Sequence, residues 1–150
     1  MNQVFKLLDY HALDVANLII KKYIDSDVYI SNLILQKVLY FVQRNALQNS
    51  KTSLFSEQFE AWKFGPVVPE VYYNFCYYGA FPLALDDGTQ LIKCSKISEI
   101  VDFEFAKCRD KTPFELVRET HRRGGAWEKI VQNGLGLRHV IPSSLICELG

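Results

Sequence analysis

The sequence predicts a mainly α fold of the α+β class: a compact bundle of five to seven helices with a small β-hairpin or short sheet. Three observations predict it. Apolar side chains recur at helical spacing in two N-terminal stretches, Asp9 to Tyr23 and the run beginning at Ser31. Thr112-Pro113-Phe114-Glu115 is a strong helix start: a capping Thr, Pro at the first helical position and Glu three residues after the cap. Strand character is confined to Leu54–Phe64 and to the apolar runs flanking Asp86-Asp87-Gly88-Thr89.

Taken in order, the first helix is expected over Asp9–Tyr23. Ala12, Val15, Ala16, Ile19, Ile20 and Tyr23 form its apolar stripe, and Asp9 caps its start. The second starts at the cap Ser31, turns Leu35, Val38, Leu39 and Val42 inward and fades near Leu47. The polar segment Gln48–Ser53 reads as a loop. Leu54–Phe64 is expected to be extended, as one strand ended by Gly65-Pro66. Pro69 opens a third helix that runs through Tyr78 and stops at Gly79. Asp-Gly between apolar runs predicts a hairpin at 86–89. Further helices are expected over Ile97–Cys108, from Thr112 to Arg123, over Ala126–Gln132 and over Ser143–Leu149.

The chain has 150 residues, about one domain, and can bury roughly two thirds of its unfolded surface without a disulfide or metal. A single domain over residues 1–150 is expected. Hydrophobic residues at 49% and charged residues at 23% exclude a disordered tail. Lys+Arg 17 against Asp+Glu 17 argues against a protein whose main task is gripping a phosphate backbone, so a nucleic-acid partner is not expected. The charge is uneven: residues 54–104 carry three basic and eight acidic side chains, and residues 105–150 eight basic and five acidic. That reads either as an ordinary mosaic or as an acidic face for a basic partner.

Met1–Tyr10 has Lys6 and Asp9 where a leader needs an apolar core. Val71–Leu85 is broken by Asn74, Gly79 and Pro82 and falls short of the ~20 residues that span a bilayer. A cytoplasmic protein with no membrane partner is expected. Cys76, Cys94, Cys108 and Cys147 have no Cys-x-x-Cys spacing and read as thiols outside any zinc or disulfide frame.

The common catalytic patterns are missing. There is no glycine-rich phosphate cradle, no His-Glu-x-x-His and no Gly-x-Ser-x-Gly. No cofactor is expected, and His11, His121 and His139 lie too far apart in sequence to suggest a metal site.

Three clusters remain. In Phe59–Tyr72, aromatic residues surround Gly65-Pro66, with Glu60 between them. This reads as a packed strand–turn–helix junction in which Glu60 accepts from loop or helix N–H groups, or as a recognition surface. A buried Trp62 replaced by Ala would cost ~3–5 kcal/mol. In Glu119–Trp127, His121, Arg122 and Arg123 fit a helix C-terminus ended by Gly124, with Trp127 packed back on the core. The competing reading is an acid/base site of His121 with Glu60 or Glu119, as in a small hydrolase. In Tyr72–Tyr78, Tyr72 and Phe75 fit the core, while Tyr73 and Tyr77 share the opposite face. Exposed tyrosines suit protein contact better than base stacking, because no Lys or Arg is interleaved.

Leu35-Gln36-Lys37-Val38-Leu39-Tyr40-Phe41, the long motif Phe59–Tyr72, and Thr120-His121 with Trp127 resemble the Panacea domain, the SocA-like antitoxin family often labelled phage-associated protein. The likeness runs from the first helix to about Trp127. Tyr78-Gly79 matches the family's pair after the third helix; Ala126 stands where the family usually has Pro. The resemblance implies a non-enzymatic antitoxin of a toxin–antitoxin or phage-defence module, binding a protein toxin encoded nearby. It also implies a route in which the antitoxin delivers its toxin to an AAA+ protease. Gln36, Lys37, Tyr40, Glu60, Trp62, Gly65, Pro66, Tyr72, His121 and Trp127 would then hold the scaffold, with no catalytic role. Tyr73 and Tyr77, with the acidic turn Asp86-Asp87, are the candidate partner surface. A DNA-binding autorepressor is the third class; zero net charge and the lack of a clear helix-turn-helix count against it.

Overall fold

The structure, a computed structural model, describes residues 4–150; the first three residues of the Met1–Tyr10 segment lie outside it. The chain begins with a strand, not a helix. β1 (Lys6–Tyr10) precedes α1 (Ala12–Asp25). Asp9 therefore lies in β1, exposed, and does not cap α1. The cap position is His11, whose backbone N–H donates to Asp14 Oδ2 at 2.9 Å. The next orphan donor, the Ala12 N–H, reaches Glu57 Oε2 at 2.9 Å. A carboxylate distant in sequence thus does what Asp9 was expected to do.

α2 (Asn32–Ser50) is the central element. Ser31 Oγ accepts from the Ile34 N–H, as expected of a cap. The expectation of one inner face fails: every residue from Ile34 to Gln43 is buried, because α1, α3, α4, α5 and α7 and two strands surround the helix. These partners are α3 (Pro69–Phe75), α4 (Ser95–Cys108), α5 (Pro113–Thr120) and α7 (Ser143–Leu149), with β2 (Thr52–Phe55) and β4 (Gly65–Val67).

The segment 48–53 is not a loop. α2 runs to Ser50, Lys51 turns the chain with φ +49, and β2 starts at Thr52. Ser53 can be buried because Gln43 serves it: Gln43 Nε2 donates to Ser53 Oγ at 2.9 Å, and Gln43 Oε1 accepts from the next residue's N–H, that of Leu54, at 2.8 Å. β2 pairs in parallel with β1, Lys6 opposite Thr52.

The stretch expected as one strand is two, β2 and β3 (Phe59–Trp62), and the break between them carries Glu57 to α1. Gly65-Pro66 does not end the extended region either. It begins β4, which folds back antiparallel on β3 with Trp62 opposite Gly65. β5 (Val140–Ile141) pairs on the other side of β3, giving the order β4-β3-β5.

α3 starts at Pro69 and continues as a 3-10 turn, Cys76–Tyr78, that stops at Gly79 with φ +59, as expected. No hairpin forms at 86–89. The turn itself is there, the Thr89 N–H meeting the Asp86 carbonyl at 3.1 Å. Its flanks pack instead of pairing: Leu83 is buried and Leu85 and Ile92 lie against the core. α4, α5, α6 (Ala126–Val131) and α7 complete seven helices among the described residues. The Thr112 capping box forms, with Glu115 N–H to Thr112 Oγ1 at 3.2 Å and Thr112 N–H to Glu115 Oε2 at 3.3 Å. α5 ends at Thr120, short of the expected Arg123, and Arg122 instead donates to the backbone oxygens of Leu149 and Gly150. Among the described residues no helix is long and apolar enough to cross a membrane.

The acidic middle of the chain is spread as a mosaic. Glu57 serves α1, Asp102 pairs with Lys22, and Glu104 lies buried beside Lys107 and Asn45.

Candidate functional site

The motif residues meet where α2 faces the β3–β4 hairpin and the α5–α6 junction. Gln36 bridges two elements: its Oε1 accepts from the Val68 N–H at 3.1 Å, and its Nε2 donates to Asn32 Oδ1 at 3.1 Å. Asn32 in turn donates to the Tyr72 carbonyl at 3.1 Å. One α2 amide pair thus fixes the start of α3. Next to Gln36 in the helix, Lys37 is wholly buried and donates from Nζ to the Pro66 carbonyl at 2.6 Å. Burial pulls the Lys37 amine down to about 7.

Gly65 makes that approach possible. Its φ is +108, and a Cβ there would sit 2.6 Å from Thr120 Oγ1 and 2.8 Å from Lys37 Nζ. Thr120, at the end of α5, returns its hydroxyl to the Val117 carbonyl at 2.7 Å. His121 follows and stacks face to face on Trp127, with ring centroids 3.6 Å apart and planes at 12°. Its Nε2 is buried without a partner. Burial first, and the Lys37 charge second, hold the His121 imidazole below its ordinary value.

Trp127 donates its indole N–H to the Trp62 carbonyl at 2.8 Å, tying α6 to β3. Trp62 donates its own to Glu60 Oε1 at 2.9 Å and packs edge-on against Tyr72 at 4.8 Å. Glu60 therefore serves a side chain, not the backbone N–H groups expected. Tyr40 is buried edge-on against Phe59 at 5.3 Å, and burial pushes its hydroxyl up to about 12.

Trp62 and Tyr72 are both only half-buried, contrary to the core positions expected for them. The Trp62 ring carries the Arg138 guanidinium at 3.8 Å on one face and borders a groove. Trp62→Ala is accordingly expected to cost roughly 2 kcal/mol, not 3–5, because less area leaves water. Urea unfolding of the variant checks this; a loss of 4 kcal/mol or more (about the full-burial figure) would contradict it.

The acid/base pairing considered for His121 is not assembled. Glu60 is engaged by Trp62, Glu119 by Lys111 at 3.0 Å and Arg44 at 3.9 Å, and His121 lies against Trp127. Among the described residues no group of three or more His, Cys, Asp or Glu side chains converges.

The candidate partner residues are divided by α3 and its 3-10 extension. Tyr73 and Tyr77 are 59% and 78% exposed, so the alternative that both are core residues does not hold. Tyr73 lies 6.1 Å from the Trp62 ring. Tyr77 and Asp86 line a separate cleft on the far side. Sequence reasoning missed Asn32 and Arg138. Only the glycines at 134 and 136 hinted that the chain near Arg138 takes unusual geometry.

Fold and site together define a helical scaffold in which Asn32, Gln36, Lys37 and Trp127 hold a β-hairpin and a helix junction. The comparisons name the class. The model of the family described as "Antitoxin SocA-like, Panacea domain" matches residues 35–128, a span containing all ten motif residues described above. The chain is 35% identical over 140 residues to Antitoxin SocA of Caulobacter vibrioides (strain NA1000 / CB15N), covering 83% of this chain and 74% of that protein. No solved structure matches. The chain belongs to the SocA-like Panacea antitoxin family, and that membership carries an antitoxin role.

Proposed function

We propose that this chain neutralises a protein toxin encoded nearby by binding it directly, without chemistry of its own. The observation that carries the reading is how the family motif is used. Gln36, Lys37 and Trp127 each direct a polar group at another element, and Glu60 accepts from Trp62 within its own strand. Groups consumed this way support a scaffold role for the motif and leave recognition to the surface. Delivery of the captured toxin to an AAA+ protease is a later step that binding permits and does not require.

The proposed contact region is two exposed patches divided by the third helix, Tyr73 beside the Trp62 ring and Tyr77 with Asp86 at a second cleft. Tyr73 and Tyr77 supply rigid apolar area, and Asp86-Asp87 supply a field for a basic partner. Tyr73→Ala with Tyr77→Ala is expected to leave the melting temperature near that of the parent, since neither ring is buried. Rescue from the toxin should weaken by tenfold or more, as hot-spot truncations of ~2 kcal/mol imply. Full rescue by a folded double variant would remove these patches from the account. Asp86→Lys with Asp87→Lys should chiefly slow association, and more so at low salt.

A further inference from the structure

We propose that the groove between the third helix and the β3–β4 hairpin seats an extended acidic segment of the partner toxin, its apolar side chain on Trp62, Phe64 and Tyr72 and its carboxylate on Lys63 and Arg138. This rests on the antitoxin reading above. The groove has a volume of about 560 Å³, enough for two or three side chains. Leu33, Trp62, Phe64 and Tyr72 give it apolar walls, and Phe64 is 51% exposed.

Its polar floor is already satisfied, with Gln36 and Asn32 engaged by Val68, Tyr72 and each other. What remains for an incoming group is apolar wall and two cations. The residues lining the groove include no Asp or Glu. Among the described residues, neither Lys63 nor Arg138 has a hydrogen bond or ion pair from its charged group; each rests on an aromatic face instead, Lys63 over Phe64 at 5.5 Å and Arg138 over Trp62 at 3.8 Å. Among the described residues, Lys21, Lys22, Arg44, Lys107 and Lys111 have carboxylate partners; Lys63 and Arg138, like Lys93, Arg118 and Lys129, have none, and are set apart by lining an apolar groove. Two cations left unpaired at one apolar groove are complementary to an anion that arrives with an apolar neighbour.

The backbone holds Arg138 in place for this. Its φ is +72, a conformation that costs an ordinary residue and persists where its surroundings fix it. Here the Arg138 N–H donates to the Ala61 carbonyl at 2.7 Å, and the Ala61 N–H donates to the His139 carbonyl at 2.8 Å. The guanidinium carbon thereby sits 3.8 Å over the Trp62 ring centroid, and the guanidinium's N–H fork suits a planar carboxylate. Tyr73, beside Trp62, makes the groove continuous with the first of the contact patches proposed above. A peptide, longer than the groove, fits that continuity.

The test uses the protein encoded beside this chain's gene as the probe, titrated calorimetrically into the purified chain. Lys63→Glu with Arg138→Glu is expected to weaken the dissociation constant by tenfold or more, and Lys63→Gln with Arg138→Gln by less. Added salt should weaken the parent chain more than the reversed variant. Lys63→Glu alone serves if the double variant fails to fold. Parent-like affinity in the folded charge variants overturns the groove assignment while leaving the antitoxin reading intact, and so does loss of binding confined to the Tyr73 and Tyr77 variants. No binding by the parent chain overturns the pairing on which both rest.

Discussion

Gly65→Ala is expected to cost roughly 3 kcal/mol or more and to lower the melting temperature by about 10 °C. Two effects add. At φ +108 any side chain is strained, whatever the space around it. The new Cβ would also meet Thr120 Oγ1 at 2.6 Å and Lys37 Nζ at 2.8 Å. Side-chain ends can often give way, but these two cannot do so freely. Lys37 is wholly buried and bonded to Pro66, and Thr120 is buried and bonded to Val117. Thermal and urea unfolding measure the loss. A control is available in Gly88→Ala, where φ is +84 but no atom lies within 4 Å of the added carbon. It should cost only about 1 kcal/mol. Equal losses at the two glycines would mean that the packing around Lys37 is not tight.

Lys37 should make stability depend on alkaline pH. The amine titrates at about 7 in the folded chain against an ordinary 10.5. Below about 7 it is charged in both states, and the full cost of burying an ammonium is present. Between about 7 and 10.5 the unfolded chain binds the extra proton, so this group's contribution to stability rises with pH and levels off above 10.5. The full span is on the order of 5 kcal/mol, or a few after relaxation around the charge. The neutral amine keeps its N–H donors for the Pro66 carbonyl. Comparing the parent with Lys37→Met isolates the effect, since both carry every other titrating group. The gap between them should move in the parent's favour from about pH 7 to about pH 10. A gap that is flat across that window would mean the ammonium is solvated or paired.

The features legible in the sequence were those with local causes. Ser31 and Thr112 cap helices, Pro69 opens one and Gly79 stops one, because each signal acts within a turn of its own position. Asp9 was misread because β1 exists only through pairing with β2, whose Thr52 lies beyond two helices in sequence. At 86–89 the turn chemistry was right and the hairpin wrong, since Leu83, Leu85 and Ile92 gain more by packing on the core than by pairing. The same holds at the site. The Phe59–Tyr72 motif announced a junction, with its Gly-Pro and its aromatics in one run. That Lys37 lies inside could not be read from one apolar stripe, because α2 is surrounded on all sides. Arg138 was invisible: its position over Trp62 depends on a backbone bond to Ala61 made across a long sequence gap.

The account turns on capture without chemistry, and mixing two purified proteins tests it. The chain and the product of the neighbouring reading frame are combined with no protease present. The mixture is passed over a sizing column and weighed intact by mass spectrometry. The account predicts one complex of fixed stoichiometry, in which the toxin keeps its full mass and regains toxicity once denatured, separated and refolded alone. A toxin of altered mass, or a toxin inactivated with no complex on the column, would contradict it.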